Sequence, residues 1–406
     1  MSGQFEARVL TLVTLALVAF GLVMVYSATS ASAALANGDP AYYLKRQAIY
    51  ALLGLVLMVG VSRLDYRVLR SLAPPLVVTS FVLLLAVLVL GQAVNGARRW
   101  LTFGPIVFQP SELAKLALAV WAASYLTRRR PPLSLRELWK PIGMLSTLFC
   151  VLVLAEPDLG TAITIMLMLG GMLLVAGTPP RTLGAGLGIA GFVSLLAVWF
   201  EPYRRARLFS FVNPWHDAQG AGYQTVQAII GLGSGGIFGR GLGQSIEKAN
   251  FLPEAHTDMI FAIIGEELGL VGATAVIAAY AAFAYFGLRI ALRCKDPFGK
   301  RLAAGLTVLV CGQASINLAA VMGLAPLTGI PLPFVSYGGS SLVVLLAATG
   351  ILLNIAVDER APQRSKVSDR GRRNSRSRAP VARGRGSAPR TRRHSDVRRV
   401  AGSRRG

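Results

Sequence analysis

Residues 258–289 read DMIFAIIGEELGLVGATAVIAAYAAFAYFGLR. Apart from Asp258, Glu266, Glu267 and Arg289 the run is apolar or small, and it exceeds the roughly 20 residues that carry a helix across a bilayer. It is too long for one straight crossing. Gly265, Gly269 and Gly272 are therefore expected to bend it, or its first turns to sit in protein rather than lipid. Runs of the same character occur near 9–29, 47–62, 72–91, 111–126, 141–155, 159–176, 182–200, 302–324 and 336–356. Together they predict an all-α integral membrane protein: a ten-helix transmembrane bundle with a large outer loop, about 201–257, between helices 7 and 8.

Composition agrees. The 406 residues are 53% apolar and 15% charged, with mean hydropathy +0.54, whereas soluble domains carry about 25% charged residues. An ordinary soluble enzyme is excluded. The net charge of +23 is unevenly placed, because residues 360–406 hold 17 Lys and Arg against 2 acids. The expected organisation is a membrane domain over 1–359 and an Arg-rich cytoplasmic tail over 360–406. The tail lacks the apolar residues of a core and is expected to be disordered. It suits attraction to anionic membrane lipid, at about 1 kcal/mol per basic residue near the surface, or a charge block that fixes topology. No specific nucleic-acid partner is expected.

Cys150 and Cys311 lie in apolar runs, Cys294 stands beside Arg293 and Lys295, and no C-x-x-C occurs. Neither a disulfide framework nor a zinc cluster is indicated, and His216, His256 and His394 are too scattered for a metal site. The first span resembles a secretory signal, but its apolar run exceeds the usual 7–15 residues. It reads as a retained helix.

Basic residues in short loops set the orientation. Arg63, Arg67 and Arg70, then Arg128 to Lys140, then Arg293 to Arg301 all fall on the side of the Arg-rich tail. That side is read as cytoplasmic, with both termini inside. The opposite loops should be poor in basic residues, yet 92–110 holds Arg98 and Arg99, and 201–257 holds Arg204, Arg205, Arg207, Arg240 and Lys248. Those arginines either anchor to headgroups or meet an anionic ligand outside.

Ionisable groups inside spans are costly and often functional. Glu112 and Lys115 share a helix face and are expected to neutralise each other. Glu156 and Asp158 flank Pro157 at a tight outer turn. Glu266 and Glu267 read equally as structure or function. Asp258 opens an apolar run at the outer face, with Thr257 as a candidate N-cap; partial burial there would suit it to base catalysis. Ser336, Gly338, Gly339 and Ser340 open the last span, where backbone N–H groups suit a phosphate and the glycines equally allow close packing.

The stretches Asn95 to Trp100, Gln109 to Lys115, Glu156 to Thr161, Glu201 to Arg204, Asn213 to Trp215, Leu252 to Gly269 and Pro333 to Ser341 resemble, in order, the SEDS family of bacterial cell-wall proteins. The resemblance implies a peptidoglycan glycosyltransferase that polymerises lipid II at the outer face of the plasma membrane. It places the family's essential aspartate at Asp258, as general base. Arg98, Arg99, Arg204 and Arg205 become candidates for the leaving pyrophosphate, with Glu112, Lys115, Glu254 and His256 as further substrate-binding candidates. A divalent cation would suit the pyrophosphate, although no dedicated cage is visible. The resemblance also implies a class B penicillin-binding protein as partner, among other division proteins. Pro253 to Asp258, with Ala255, and Gly265-Glu266-Glu267 resemble the division branch, hence a septal location; elongation-type chains more usually carry Arg where Ala255 stands. Two rival readings are a lipid II flippase, in which the intramembrane charges matter most, and a non-catalytic division scaffold.

Overall fold

The computed structural model describes residues 2–94, 97–104, 106–200, 202–248 and 252–358. Residues 1–361 form one compact unit. The Arg-rich tail, and the side chain of Arg204, lie outside the described residues.

The helices are α1 (Ser2–Asn37), α2 (Tyr42–Arg63), α3 (Leu69–Leu90), α4 (Pro110–Arg128), the single turn α5 (Leu135–Leu138), α6 (Met144–Ala155), α7 (Leu159–Ala176), α8 (Pro180–Trp199), α9 (Pro202–Val212), α10 (Tyr223–Ser234), α11 (Ile260–Arg293), α12 (Pro297–Val321) and α13 (Gly339–Val357). Among the described residues eight helical segments are long and apolar enough to cross a membrane, α5 and α6 counting as one with the turn between them. The chain is a multi-pass, helical membrane protein. The two other expected spans, 111–126 and 182–200, are helices α4 and α8; counting them as crossings to reach ten is a proposal rather than a consequence of length and composition.

Local chemistry sets the helix ends. Asp158 caps α7, its Oδ1 accepting from Thr161 N at 3.0 Å. Asp296 caps α12 by accepting from Gly299 N at 3.1 Å, with Pro297 at the first helical position. In the core, α12 packs against α4, α7, α11 and α13, and α2 runs along α13. Gly54 and Gly350 permit that last approach, since a Cβ on Gly54 would come 2.6 Å from Leu346 Cδ1. Helix α1 contributes Leu10, Leu17, Met24 and Val25 to the core.

The expected bend falls at Gly269, whose φ of 64° and ψ of −161° interrupt α11. Polar backbone freed at that break needs new partners. The glycine-rich segment after α10 supplies them: Arg240 N and Gly241 N donate to the carbonyls of Glu266 and Glu267, both at 3.0 Å, and Leu270 N donates to Gly236 O at 2.9 Å. Glu266 and Glu267 prove to be part of the same anchorage. Glu266 accepts from Ser245 Oγ and from Ile246 N at 3.0 Å, while Glu267 accepts from Ser27 Oγ at 2.7 Å and pairs with Lys248 Nζ at 2.9 Å. They hold the 245–248 segment and α1 to α11.

Two outer stretches expected as loops are ordered differently. Residues 92–108 form an antiparallel meander of β1 (Gln92–Val94), β2 (Ala97–Phe103) and β3 (Ile106–Phe108), with Gln92 opposite Trp100 and Leu101 opposite Phe108. The region 201–257 contains α9, α10 and a single turn at Pro214–Asp217.

Candidate functional site

A cavity of about 930 Å³ is bounded by β2, the 157–159 turn, α9, the turn before α11, and the segment leading into α13. Asp258 lines it. The turn carrying Asp258 is tight: Thr257 N and Met259 N both donate to Glu254 O, at 3.0 and 3.4 Å, and Glu254 takes a left-handed φ of 57°. Tyr337 N donates to His256 O at 2.9 Å, tying this turn to the approach to α13. The His256 ring packs 4.8 Å from Tyr43 and 5.5 Å from Tyr337.

Thr257 does not cap α11. The helix starts later, with Met259 at the cap position and no side-chain cap bond. The Thr257 hydroxyl instead donates to Glu254 Oε2 at 3.0 Å and approaches Asp258 Oδ1 at 3.3 Å. Burial raises the Asp258 carboxyl to about 6, the negative Glu254 adds to the rise, and Arg207 and the Thr257 hydroxyl oppose it. Burial lowers His256, so its imidazole is the neutral form near pH 7.

Around this carboxyl the cavity presents three guanidinium-bearing residues: Arg46 from α2, Arg99 from β2 and Arg207 from α9. Arg99 Nε donates to Glu156 O at 2.9 Å, and its Nη2 donates to Pro157 O. Successive strand residues face opposite sides, and Arg98 accordingly turns away to donate to Leu88 O at 3.4 Å. Arg98 does not line the cavity. Arg205 also lies outside it, over the Trp199 ring at 6.0 Å. Arg207, two residues on, lines the cavity instead, and its place in the same basic run, 204–207, was the signal that would have found it. Arg46 gave no signal of this kind, for it looked like an ordinary basic residue at the start of a span.

The remaining candidates divide. Glu112, Glu254, His256, Gly338, Gly339 and Ser340 line the cavity. Lys115 lies beneath, fully buried, donating to Glu112 Oε1 at 2.9 Å and to Gln313 Oε1 at 2.8 Å. The expected neutralisation is therefore real, and Gln313 completes it. Ser336 is buried away from the cavity, its Oγ accepting from Leu332 N at 2.8 Å. Gly338 N already donates to Gln47 Oε1 at 3.4 Å, and Ser340 Oγ accepts from Gln109 N and donates to Val107 O. These bonds tie the start of α13 to α2 through Gln47, to β3 through Val107 and to the start of α4 through Gln109. Trp100, Gln109, Asp158 and Gln224 also belong to the lining. Among the described residues no three His, Cys, Asp or Glu side chains converge as a metal cluster.

The site thus combines a carboxylate of near-neutral affinity for protons with three arginines, in a chamber of mixed polar and apolar lining within a multi-pass membrane protein. That combination defines a multi-pass membrane protein whose chamber sets a buried carboxyl among guanidinium groups. A family model covering FtsW, RodA and SpoVE, described as "Cell cycle protein", matches residues 7–361, and the chain belongs to that family. It is 42% identical over 356 residues to the "Probable peptidoglycan glycosyltransferase FtsW" of Geobacter metallireducens, covering 86% of this chain and 94% of that protein. It is 40% identical over 353 residues to "Stage V sporulation protein E" of Bacillus subtilis, covering 86% and 96%. Among solved structures, one from "Structural coordination of polymerization and crosslinking by a peptidoglycan synthase complex" superposes with a TM-score of 0.72 at 32% identity, covering 86% and 96%. The rod shape determining protein RodA of Thermus thermophilus superposes at 0.63 with 30% identity, covering 86% and 95%.

Proposed function

We propose that this protein is a peptidoglycan glycosyltransferase that polymerises lipid II, with Asp258 as its general base. The observation that carries the reading is Asp258 lining the same cavity as Arg46, Arg99 and Arg207. The sugar hydroxyl of the acceptor attacks the anomeric carbon of the donor, and Asp258 takes the hydroxyl proton. As the new glycosidic bond forms, the bond to the pyrophosphate oxygen breaks and undecaprenyl pyrophosphate departs. Guanidinium groups match phosphate oxygens bidentately and favour that departure. A base raised to about 6 is mostly ionised at pH 7 and still basic enough to accept a proton.

The division branch is supported by Ala255 in the 253–258 motif and by the printed names of several relatives. On this reading the cavity faces outward, both termini are cytoplasmic, the protein works at the septum, and a class B penicillin-binding protein is its transpeptidase partner. The synthase complex among the structural neighbours supports such a pairing.

The test supplies purified protein, with and without its transpeptidase, with labelled lipid II and resolves the glycan strands on a gel. Polymer from the wild type, and none from a folded, partner-bound Asp258→Asn, is the expected result. Equal polymer from both would remove Asp258 as base. No polymer from either, with partner bound and substrate intact, would remove the polymerase reading in favour of transport or scaffolding.

A further inference from the structure

A second cavity, about 1090 Å³, lies at the opposite end of the chain's helices, where α1 begins and α13 ends. The two ends touch there, since a Cβ on Gly3 would run into the Ala356 carbonyl. One face of α1 forms a wall through Gln4, Ala7, Arg8, Thr11, Leu12 and Leu15, positions that recur every three or four residues. The far walls are the end of α2 with Arg63, the following turn with Asp65 and Arg67, and the end of α13 with Leu353, Val357 and Asp358.

Two properties of this cavity point to its occupant. The first is charge. Arg67 is paired with Asp358 at 2.6 Å and with Asp65 at 3.5 Å, a trio with one net negative charge, so with Arg8 and Arg63 the lining is net positive by one. Arg8 and Arg63 have neither an ion pair nor a hydrogen bond among the described residues, yet both line the cavity. The second is polarity along the wall. Arg8 and Leu15 are about 10 Å apart along the helix at 1.5 Å per residue, and over that distance the lining passes from guanidinium to aliphatic. Leu12 and Leu15 are exposed, at 68% and 42%, so the apolar part continues onto the lipid-facing surface. A small soluble anion would satisfy the arginines and leave the leucines uncovered. A neutral lipid would do the reverse.

We propose that this cavity binds one anionic phospholipid, its headgroup phosphate between Arg8 and Arg63 and an acyl chain along Leu12 and Leu15. The inference is independent of the glycosyltransferase reading, because none of these residues belongs to the Asp258 cavity.

The test titrates the purified full-length protein in detergent with phosphatidylglycerol or phosphatidylcholine and counts bound lipids by native mass spectrometry. The wild type should retain phosphatidylglycerol in preference to phosphatidylcholine. The double variant Arg8→Gln, Arg63→Gln should lose about tenfold in phosphatidylglycerol affinity, given the worth of basic residues at a membrane surface. Arg70→Gln, on the same side but outside the cavity, should lose little. The basic tail is common to all three proteins, so the difference between them reports the cavity alone. Unchanged melting of the double variant shows that it is folded. Equal retention of both lipids, an undiminished preference in the double variant, or an equal loss in Arg70→Gln would each overturn the proposal. Displacement of the bound lipid by millimolar inorganic phosphate would overturn the acyl-chain half and leave a simple anion site.

Discussion

Asn317 in α12 donates one amide nitrogen to two carbonyls at once, that of Asp258 at 2.7 Å and that of Ile330 at 2.8 Å. A buried side chain of α12 thereby holds the backbone of the proposed base against the neighbouring loop that lines the same cavity. A base held in this way is pre-positioned, so changes to its side chain report on proton transfer more than on placement.

Asp258→Asn is accordingly expected to lower polymerisation by about 100- to 10,000-fold, the range for loss of a general base, with lipid II binding retained. The wild-type rate should rise with pH through about 6, because only the ionised carboxyl accepts a proton. Glu254→Gln removes a negative neighbour and should move that rise to lower pH. Thr257→Val removes a donor to the carboxylate and should move it higher. Rates from pH 5 to 8 check all three, and identical profiles would refute the assignment.

Arg207→Gln should weaken lipid II binding by about tenfold, the worth of one charge-assisted contact. Arg205→Gln should change it little, since that guanidinium lies over Trp199 outside the cavity. Equal losses in the two variants, measured by titration with labelled lipid II, would show that α9 acts through general charge alone.

Lys115→Met should destabilise the protein by about 3–5 kcal/mol, because it strands the buried Glu112 carboxylate. The double variant Glu112→Leu, Lys115→Met should recover most of that loss. Unfolding in detergent micelles measures both. The recovery applies to stability only, because Glu112 lines the cavity and its removal is a separate matter for activity.

Glu156 is buried, neither carboxyl oxygen has a hydrogen-bond partner in the described structure, and burial with the nearby Asp158 raises it to about 8. The folded protein therefore holds this proton to higher pH than the unfolded chain does. Its contribution to stability is full below about 4.5 and is lost as pH rises through 8. Glu156→Gln, which keeps the shape and cannot ionise, should flatten that part of the stability profile. A slope unchanged between pH 5 and 9 would place its origin elsewhere.

The membrane helices were legible because hydropathy is a local property, and the interruption of α11 was legible because glycines cluster there. The sheet at 92–108 was not, since three short strands owe their pairing to one another and to α13 rather than to any long alternating run. The Asp258 turn was found through its motif, whereas its partners were not: Asn317 and Arg207 stand 59 and 51 residues away in sequence, and only folding brings them near. Arg98 and Arg99 looked equivalent until a strand sent them to opposite faces. Glu266 and Glu267 looked ambiguous because their partners, Ser245, Lys248 and Ser27, belong to segments that sequence alone does not bring together.

The interruption at Gly269 divides α11 into two mechanical pieces. The upper piece, from Ile260 to Leu268, is a rod about 13 Å long at 1.5 Å per residue, with the Asp258 turn at one end and the glycine-rich segment hydrogen-bonded at the other. Residues 236–241 grip both sides of the interruption, the upper piece through the carbonyls of Glu266 and Glu267 and the lower through Leu270 N and Val271 N. The loop after α10 and the proposed base thus sit at the two ends of one short helical strut.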